Sequence, residues 1–230
     1  VNIKVFYHAV DLPHFSSIVN EQLNEIKISG LLDVSEIYVV CNYNESSYDL
    51  LKQQYKNCAN IQWLSQKNIP NDFEIPTLNL MKDMADHSEN EFLALYLHCK
   101  GITHIGSHCE TPTKHWRWLM NYFNITRWKD CVSKLNEGYD AVGCLMNNDI
   151  MPKHFSGNFH WTRSTFLKKC NKLKLPHTVN FSPQIPHNRD YRFDAEAWYG
   201  HNNAKMYDFF QSHLNHYYDE FPPNLYTNLY

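Results

Sequence analysis

Apolar residues recur along this chain in short β-type runs separated by stretches of helical period. Residues 3–9, "IKVFYHA", are β-branched and aromatic and predict a first strand. Phe15, Val19, Leu23 and Ile26 then fall at helical spacing, and Gly30 supplies a C-terminal stop. "EIYVVCN" (36–42) predicts a second strand, "SSYDLLKQQY" a short helix, and "NIQWLS" (60–65) a third strand. "IPTLNLMKDMADHS" predicts a helix with Pro76 near its start and Thr77 in its first turn, and "EFLALYLHCKG" (91–101) predicts a fourth strand. Trp116, Leu119, Met120, Phe123, Trp128, Cys131, Val132 and Leu135 form one stripe, which predicts a single helix ended by Gly138. "YDAVGCLM" (139–146) reads as a fifth strand, and "HFSGNFHWTRSTFLKKC" as a turn, a short strand and a helix. The Pro- and Asn-rich stretch "PHTVNFSPQIPHNRDYRF" reads as a loop leading to "DAEAWYGH" and a Tyr-rich tail. Alternating strands and helices imply an α/β protein with a mostly parallel sheet flanked by helices. At 230 residues one domain is the expectation.

Composition narrows the chemistry. With only seven glycines there is no GxGxxG and no GxxxxGK[ST], which argues against a dinucleotide-binding enzyme and a P-loop NTPase. A net charge of −3 gives no electrostatic reason to expect nucleic acid. The 15 Tyr, 13 Phe and 6 Trp suit flat ligands such as sugars and bases, although most aromatics build cores. Seven cysteines are an odd count without a CxxC pair, several inside apolar runs, so free thiols in a reducing, cytoplasmic setting are expected. No signal peptide and no apolar run of membrane-spanning length occurs. The chain begins at Val1 rather than Met, as a piece of a longer multidomain chain would.

In an open α/β sheet the ligand crevice lies beyond the carboxyl ends of the strands. Those ends are polar here: His8, then Asn42 and Asn44, then His98 and Lys100, then Asn147, Asn148 and Asp149. Any strand turns polar where it meets water, so each residue alone says little. His98 and Lys100 say more, because strand residues two apart point to one side. An imidazole and an ammonium together suit a phosphate, and a Lys in such an apolar setting calls for an anionic partner. A salt bridge to an internal carboxylate would satisfy the same demand.

"FDAEAWYG" (193–200) offers Asp194 as a helix N-cap and Glu196 in the first turn. Beside a sugar-binding crevice, one of these carboxylates would take a proton from an attacking hydroxyl, with Glu196 preferred and Asp194 the alternate. "HFSGNFHW" gathers His154, Ser156, Asn158, His160 and Trp161 around Gly157, a loop suited either to binding an acceptor hydroxyl or to satisfying itself internally. Cys99, His104, His108 and Cys109 are zinc-type ligands, but their spacing matches no standard pattern. The sequons at Asn44 and Asn124 fall at a strand end and on a helix, and are discounted.

The segments "EQLNEIKISGLLD", "FEIPTLNLM", "LYLHCKGITH", "HWRWLMNYFNITRWKDC", "LNEGYDAVGC", "HFSGNFHWTRSTFL" and "RFDAEAWYG" resemble, in this order, a family of glycosyltransferases encoded by large DNA viruses of algae and amoebae and by some bacteria. That family is in turn similar to rhamnan-synthesis proteins, which carry a comparable strand ending in His-x-Lys. The resemblance runs from about Ile3 to Gly200, with LHxKG and HFSGNF its most specific parts. It implies a single GT-A-like, Rossmann-like domain using a nucleotide-diphosphate sugar, UDP-linked in the first instance. Residues 1–100 would be the nucleotide-binding half, and 101–230 the acceptor half with a C-terminal tail. The acceptor would be an oligosaccharide or glycoprotein in surface or capsid glycan synthesis, in the host cytoplasm if the source is viral.

Many such enzymes carry an Asp-x-Asp metal motif at the end of this strand, and the present chain has none. A divalent metal (Mn²⁺ or Mg²⁺) is therefore an open requirement: Lys100 would replace its charge, or His98 with Asp149 or His201 would hold it. On this reading His8, Asn42, Asn44, Thr77, His98 and Lys100 bind the donor. Glu196 or Asp194 is the base of an inverting transfer. The acceptor side is His154, Ser156, Gly157, Asn158, His160, Trp161 and Trp198. A non-catalytic glycan-binding module and a metal-dependent hydrolase are the rival expectations.

Overall fold

Every residue from Ile3 to Ala9 is buried, as a strand with neighbours on both sides and helices on both faces requires. The computed structural model describes residues 2–42, 45–66, 72–149, 152–174 and 191–228. Its first half contains β1 (Asn2–Val10), α1 (Phe15–Ile28), β2 (Ser35–Asn42), α2 (Glu45–Gln54), β3 (Ile61–Gln66), α3 (Ile75–His87) and β4 (Phe92–His98). There follow α4 (Glu110–Asn121), α5 (Trp128–Asn136), β5 (Ala141–Gly143), β6 (Met146–Asn147), β7 (His154–Phe155), β8 (His160–Arg163), α6 (Ser164–Leu167), α7 (Tyr191–Ala197) and β9 (Met206–Asp208).

The main sheet has seven strands in the order β3-β2-β1-β4-β8-β5-β9. The first four are parallel, and β8 alone runs antiparallel to its neighbours β4 and β5. This is the mostly parallel, Rossmann-like α/β architecture that the alternation predicts. Strand parity divides the core into two layers. Val5, Tyr7 and Ala9 of β1 and Leu93, Leu95 and Leu97 of β4 pack with α1, α4 and α5. Phe6 of β1 with Ala94 and Tyr96 of β4 packs instead with α3, α6 and α7. Because His8 and His98 share the second parity and are register partners, both face the α3 side at the rim.

Two elements differ from the sequence pattern. The stripe from Trp116 to Leu135 is not one helix, because a π-turn at Tyr122–Thr126 separates α4 from α5. Arg127 N–H reaches back five residues to Tyr122 O at 3.0 Å. The Asn124 amide donates to Met120 O at 2.9 Å, and the Asn124 carbonyl accepts from the Trp161 indole at 2.9 Å. These bonds redirect the ladder and bury Asn124 completely, so that sequon lies inside the core. The fifth strand stops at Gly143 rather than Met146. Leu145 adopts a left-handed φ of 61°, its N–H bonding Phe210 O at 2.8 Å, and Met146–Asn147 pairs separately with β7.

After β9 the tail returns along this edge. Phe209 N–H donates to Gly143 O at 2.9 Å, and the buried Tyr226 rests against Tyr122 and Phe123. All seven cysteines are free thiols. No helix among the described residues is long and apolar enough to cross a membrane.

Candidate functional site

At the rim of β1 and β4 the polar side chains converge on an acid. His8 Nδ1 lies 2.9 Å from Thr77 Oγ1 in the first turn of α3. His98 Nδ1 lies 3.6 Å from Glu74 Oε1, too long for a hydrogen bond. Glu74 directly precedes α3 and is buried, and its Oε2 accepts from Asn158 Nδ2 at 2.7 Å. Asn158 reaches it because Gly157 and Asn158 both take left-handed backbone, φ 86° and 59°, which glycine and asparagine tolerate best. A Cβ at Gly157 would also lie 2.6 Å from Met120 Sδ and 3.0 Å from Trp116 Cζ2, so the loop packs directly on α4. Glu74 thus ties β4, α3 and the HFSGNF loop together. Nothing in the sequence pattern singles Glu74 out, since an acid just ahead of Ile-Pro looks like an ordinary partner for a helix N-terminus.

Two histidines of this layer, His8 and His160, are held neutral. Burial lowers His8 to about 4, Glu74 pulling against it and His98 adding to it. Burial lowers His160 to about 3, its ring lying 4.3 Å from Tyr199 and 5.6 Å from Tyr96 between centroids. Tyr96 is itself pushed well above its ordinary value, first by burial and then by the Glu74 charge. Depressed histidines bind fewer protons folded than unfolded. Their contribution is therefore complete above pH 6.5 and is lost as pH falls from there towards about 4 for His8 and about 3 for His160. Thermal melts should show Tm falling across that window, with a shallower slope for His160→Phe than for wild type. Identical slopes would mean that His160 is not the group being charged.

Lys100 departs from the expected pairing with His98. Strand β4 ends at His98, and Lys100 N–H bonds back to His98 O at 2.8 Å as the chain turns into Gly101, φ 85°. The two-residue alternation therefore ends before Lys100, and the two side chains have different neighbours. The Lys100 ammonium stands 3.7 Å from the centroid of Trp116 and 5.4 Å from that of Tyr217, a cation–π arrangement. Its backbone is fixed from below: Arg117 Nη1 donates to Lys100 O at 2.8 Å while Arg117 holds Glu21 with bonds of 2.8 and 3.1 Å.

Trp116 and Tyr217 also line a cleft of about 790 Å³, together with residues 145–149, Ser156 and residues 211–216. Asp149 and Ser156 are the sequence-predicted candidates that reach it. The other residues of the HFSGNFHW segment are engaged internally. His154 is buried with Nδ1 3.0 Å from Pro152 O, Asn158 holds Glu74, and His160 is in the core. Trp161 and Trp198, expected to stack on an acceptor, are instead core residues whose indole N–H groups donate to Asn124 O at 2.9 Å and Asn171 O at 2.7 Å.

On α7, Asp194 is the fourth helical residue rather than the cap, because the helix already begins at Tyr191. Glu196 is half-buried, and its charge raises the pKa values of the buried Tyr96 and Tyr199. It therefore belongs to the same layer as Glu74. Asn42 ends β2, but its side chain lies outside the described part, as does the whole of Asn44.

The described residues do not fit a bound metal. Among the described residues no group of three or more His, Cys, Asp or Glu is gathered as ligands. His98 is turned to Glu74, Asp149 lies at the cleft and His201 is exposed. The zinc-type residues are likewise dispersed. Cys99 Sγ sits 3.4 Å from Tyr7 OH, with burial raising its thiol to about 11, His104 packs on Tyr217, and His108 stacks on Tyr218.

No protein-family model matches the sequence, and no curated protein matches it. Among solved structures the chain is similar to S. aureus TarS 1-349, at 13% identity and TM-score 0.49, covering 92% of this chain and 60% of that one. It is similar to the same fragment in complex with UDP-GlcNAc, also at 13% and 0.49, covering 96% and 62%. With S. aureus TarS itself the values are 11% identity and TM-score 0.46, covering 92% and 37%. The chain thus spans about three fifths of the length of the TarS fragment.

Proposed function

We propose that the chain is a glycosyltransferase that moves a sugar from a nucleotide-diphosphate donor, UDP-linked in the first instance, to a glycan acceptor with inversion. The observation that carries this reading is Lys100, an ammonium held at the carboxyl rim of the parallel sheet over Trp116, a wall of the 790 Å³ cleft. A cleft of this size accommodates a sugar nucleotide. A fixed cation in a water-poor setting stabilises the charge that develops on a departing diphosphate.

In the transfer, the acceptor oxygen attacks the anomeric carbon as the bond to the β-phosphate oxygen breaks. The electron pair passes to the diphosphate and the acceptor proton to a carboxylate. Lys100 takes the first role, with His98 as a hydrogen-bonding neighbour. His8 and Thr77, with Asn42 and Asn44, are assigned to the donor side, so that residues 1–100 form the donor half and 101–230 the acceptor half. Glu196 is the assigned base and Asp194 its alternate. No step runs through a metal. The surface or capsid glycan setting and the cytoplasmic location follow from the family resemblance alone.

Glu196→Gln is expected to lower turnover by about 10²–10⁴-fold with nucleotide binding retained. Intact turnover in both Glu196→Gln and Asp194→Asn would remove the base assignment. A hydrolysis screen over UDP-, GDP- and dTDP-linked sugars identifies the donor.

One observation favours a second reading, a glycan-binding module without catalysis: the exposed rings of Tyr217 and Tyr218 beside an amide-rich cleft. Such a module binds sugar and ignores nucleoside diphosphates. The metal-dependent hydrolase has no ligand set behind it among the described residues.

A further inference from the structure

The tail supplies a wall of the cleft to which the residue reading assigns no role. Residues 211–217 contribute to its lining without a break, together with Asn147, Asn148 and Asp149. Tyr217, the last of these, and Tyr218 after it are 40% and 64% exposed. Both rings are braced by histidines of the turn that follows β4: His104 lies 5.6 Å from Tyr217, and His108 stacks on Tyr218 at 5.9 Å and 14°. Bracing orders a large ring without burying it, which lowers the entropy lost when a ligand lies against it.

The charge of the lining is equally specific. Among the described lining residues there is no Lys or Arg, and Asp149 is the carboxylate. The Lys100 ammonium stands over Trp116 and 5.4 Å from the Tyr217 ring, while Asn147, Asn148 and Asp149 bring no cation of their own to the lining. An anionic group placed there would lose its hydration and meet a like charge. Side-chain amides and a carboxylate satisfy paired hydroxyls, and an exposed tyrosine face suits the C–H face of a pyranose.

We propose that residues 211–218 and Asn147–Asp149 form a binding subsite for a neutral saccharide, selecting uncharged over phosphorylated or uronate-containing glycans. Describing that saccharide as the acceptor rests on the transferase reading; its binding does not. The subsite moves acceptor recognition from the HFSGNFHW segment, where Ser156 alone lines the cleft, to the tail.

The test is a printed array of neutral and anionic oligosaccharides probed with the labelled chain, followed by calorimetric titration of the best neutral binder and, separately, of UDP and GDP. The expected result is binding confined to neutral glycans, weakened about tenfold or more by Tyr218→Ala and by Asn148→Ala, an interface loss of at least ~1.4 kcal/mol. Both side chains are exposed, and unchanged melting temperatures verify that the variants fold. Binding of anionic glycans in preference, no glycan binding, or variants that bind like wild type would overturn the proposal. Diphosphate binding without glycan binding leaves the transferase standing and this subsite refuted. Neutral-glycan binding without diphosphate binding does the reverse.

Discussion

Replacing Lys100 by methionine lowers donor turnover by about 10²–10³-fold while the fold survives, because one fixed charge facing the departing diphosphate is worth several kcal/mol in a water-poor site. Methionine is the informative substitution. Its unbranched thioether keeps the contacts that Lys100 makes with Trp116 and Tyr217, so the charge is removed and the packing is not. Lys100→Ala would confound the two by opening a gap beside Trp116. Steady-state turnover of the donor, with Tm followed in parallel, separates a lost charge from a lost structure. Turnover equal to wild type in Lys100→Met would show that the ammonium has no part in the reaction.

Glu74→Ala is expected to destabilise the protein by about 2–4 kcal/mol, the range for removing one partner from a buried charged network. Asn158 Nδ2 loses its acceptor at 2.7 Å and His98 loses its carboxylate neighbour at 3.6 Å, both in a setting with little water. For a chain of this size that loss lowers Tm by about 5–15 °C. Urea denaturation of Glu74→Ala, Asn158→Ala and the double variant should return a coupling of about 1–2 kcal/mol. Strict additivity would mean that the 2.7 Å bond contributes nothing of its own.

Glu74 is a positioning residue on this account. Its carboxylate can only accept, so it favours a proton on His98 Nδ1, whereas Glu74→Gln offers a donor there as well. The tautomer of His98, read from its ring ¹⁵N shifts, should change in Glu74→Gln. A purely structural role would leave it unchanged.

The first four strands and their order along the chain were legible because buried parallel strands are uninterrupted apolar runs, as in "FLALYLH". The break between α4 and α5 was not. Trp116 to Leu135 keeps a helical stripe straight through it, and the π-turn depends on Asn124 bonding Met120 and on Trp161 arriving from a distant strand. The HFSGNFHW segment misled for a related reason. Polar residues near a glycine look like a surface loop, and only the fold reveals that Asn158 has Glu74, 84 positions away, as its partner.

Lys100 was identifiable by its place at a strand end, but its direction was not. Alternation governs side chains only while the strand continues, and β4 stops at His98. The tail carried no periodic signal, so its contribution to the cleft became visible only when the chain returned past β5.

The central claim, that Lys100 faces a diphosphate at the sheet rim, is tested most directly by calorimetric titration of wild type and Lys100→Met with UDP, GDP and dTDP, each against its own nucleoside. The account predicts that wild type prefers at least one diphosphate over its nucleoside by about tenfold or more, roughly 1.4 kcal/mol, and that Lys100→Met loses that preference. A Lys100→Met protein that retains the full preference, or a wild type that shows none, would contradict it.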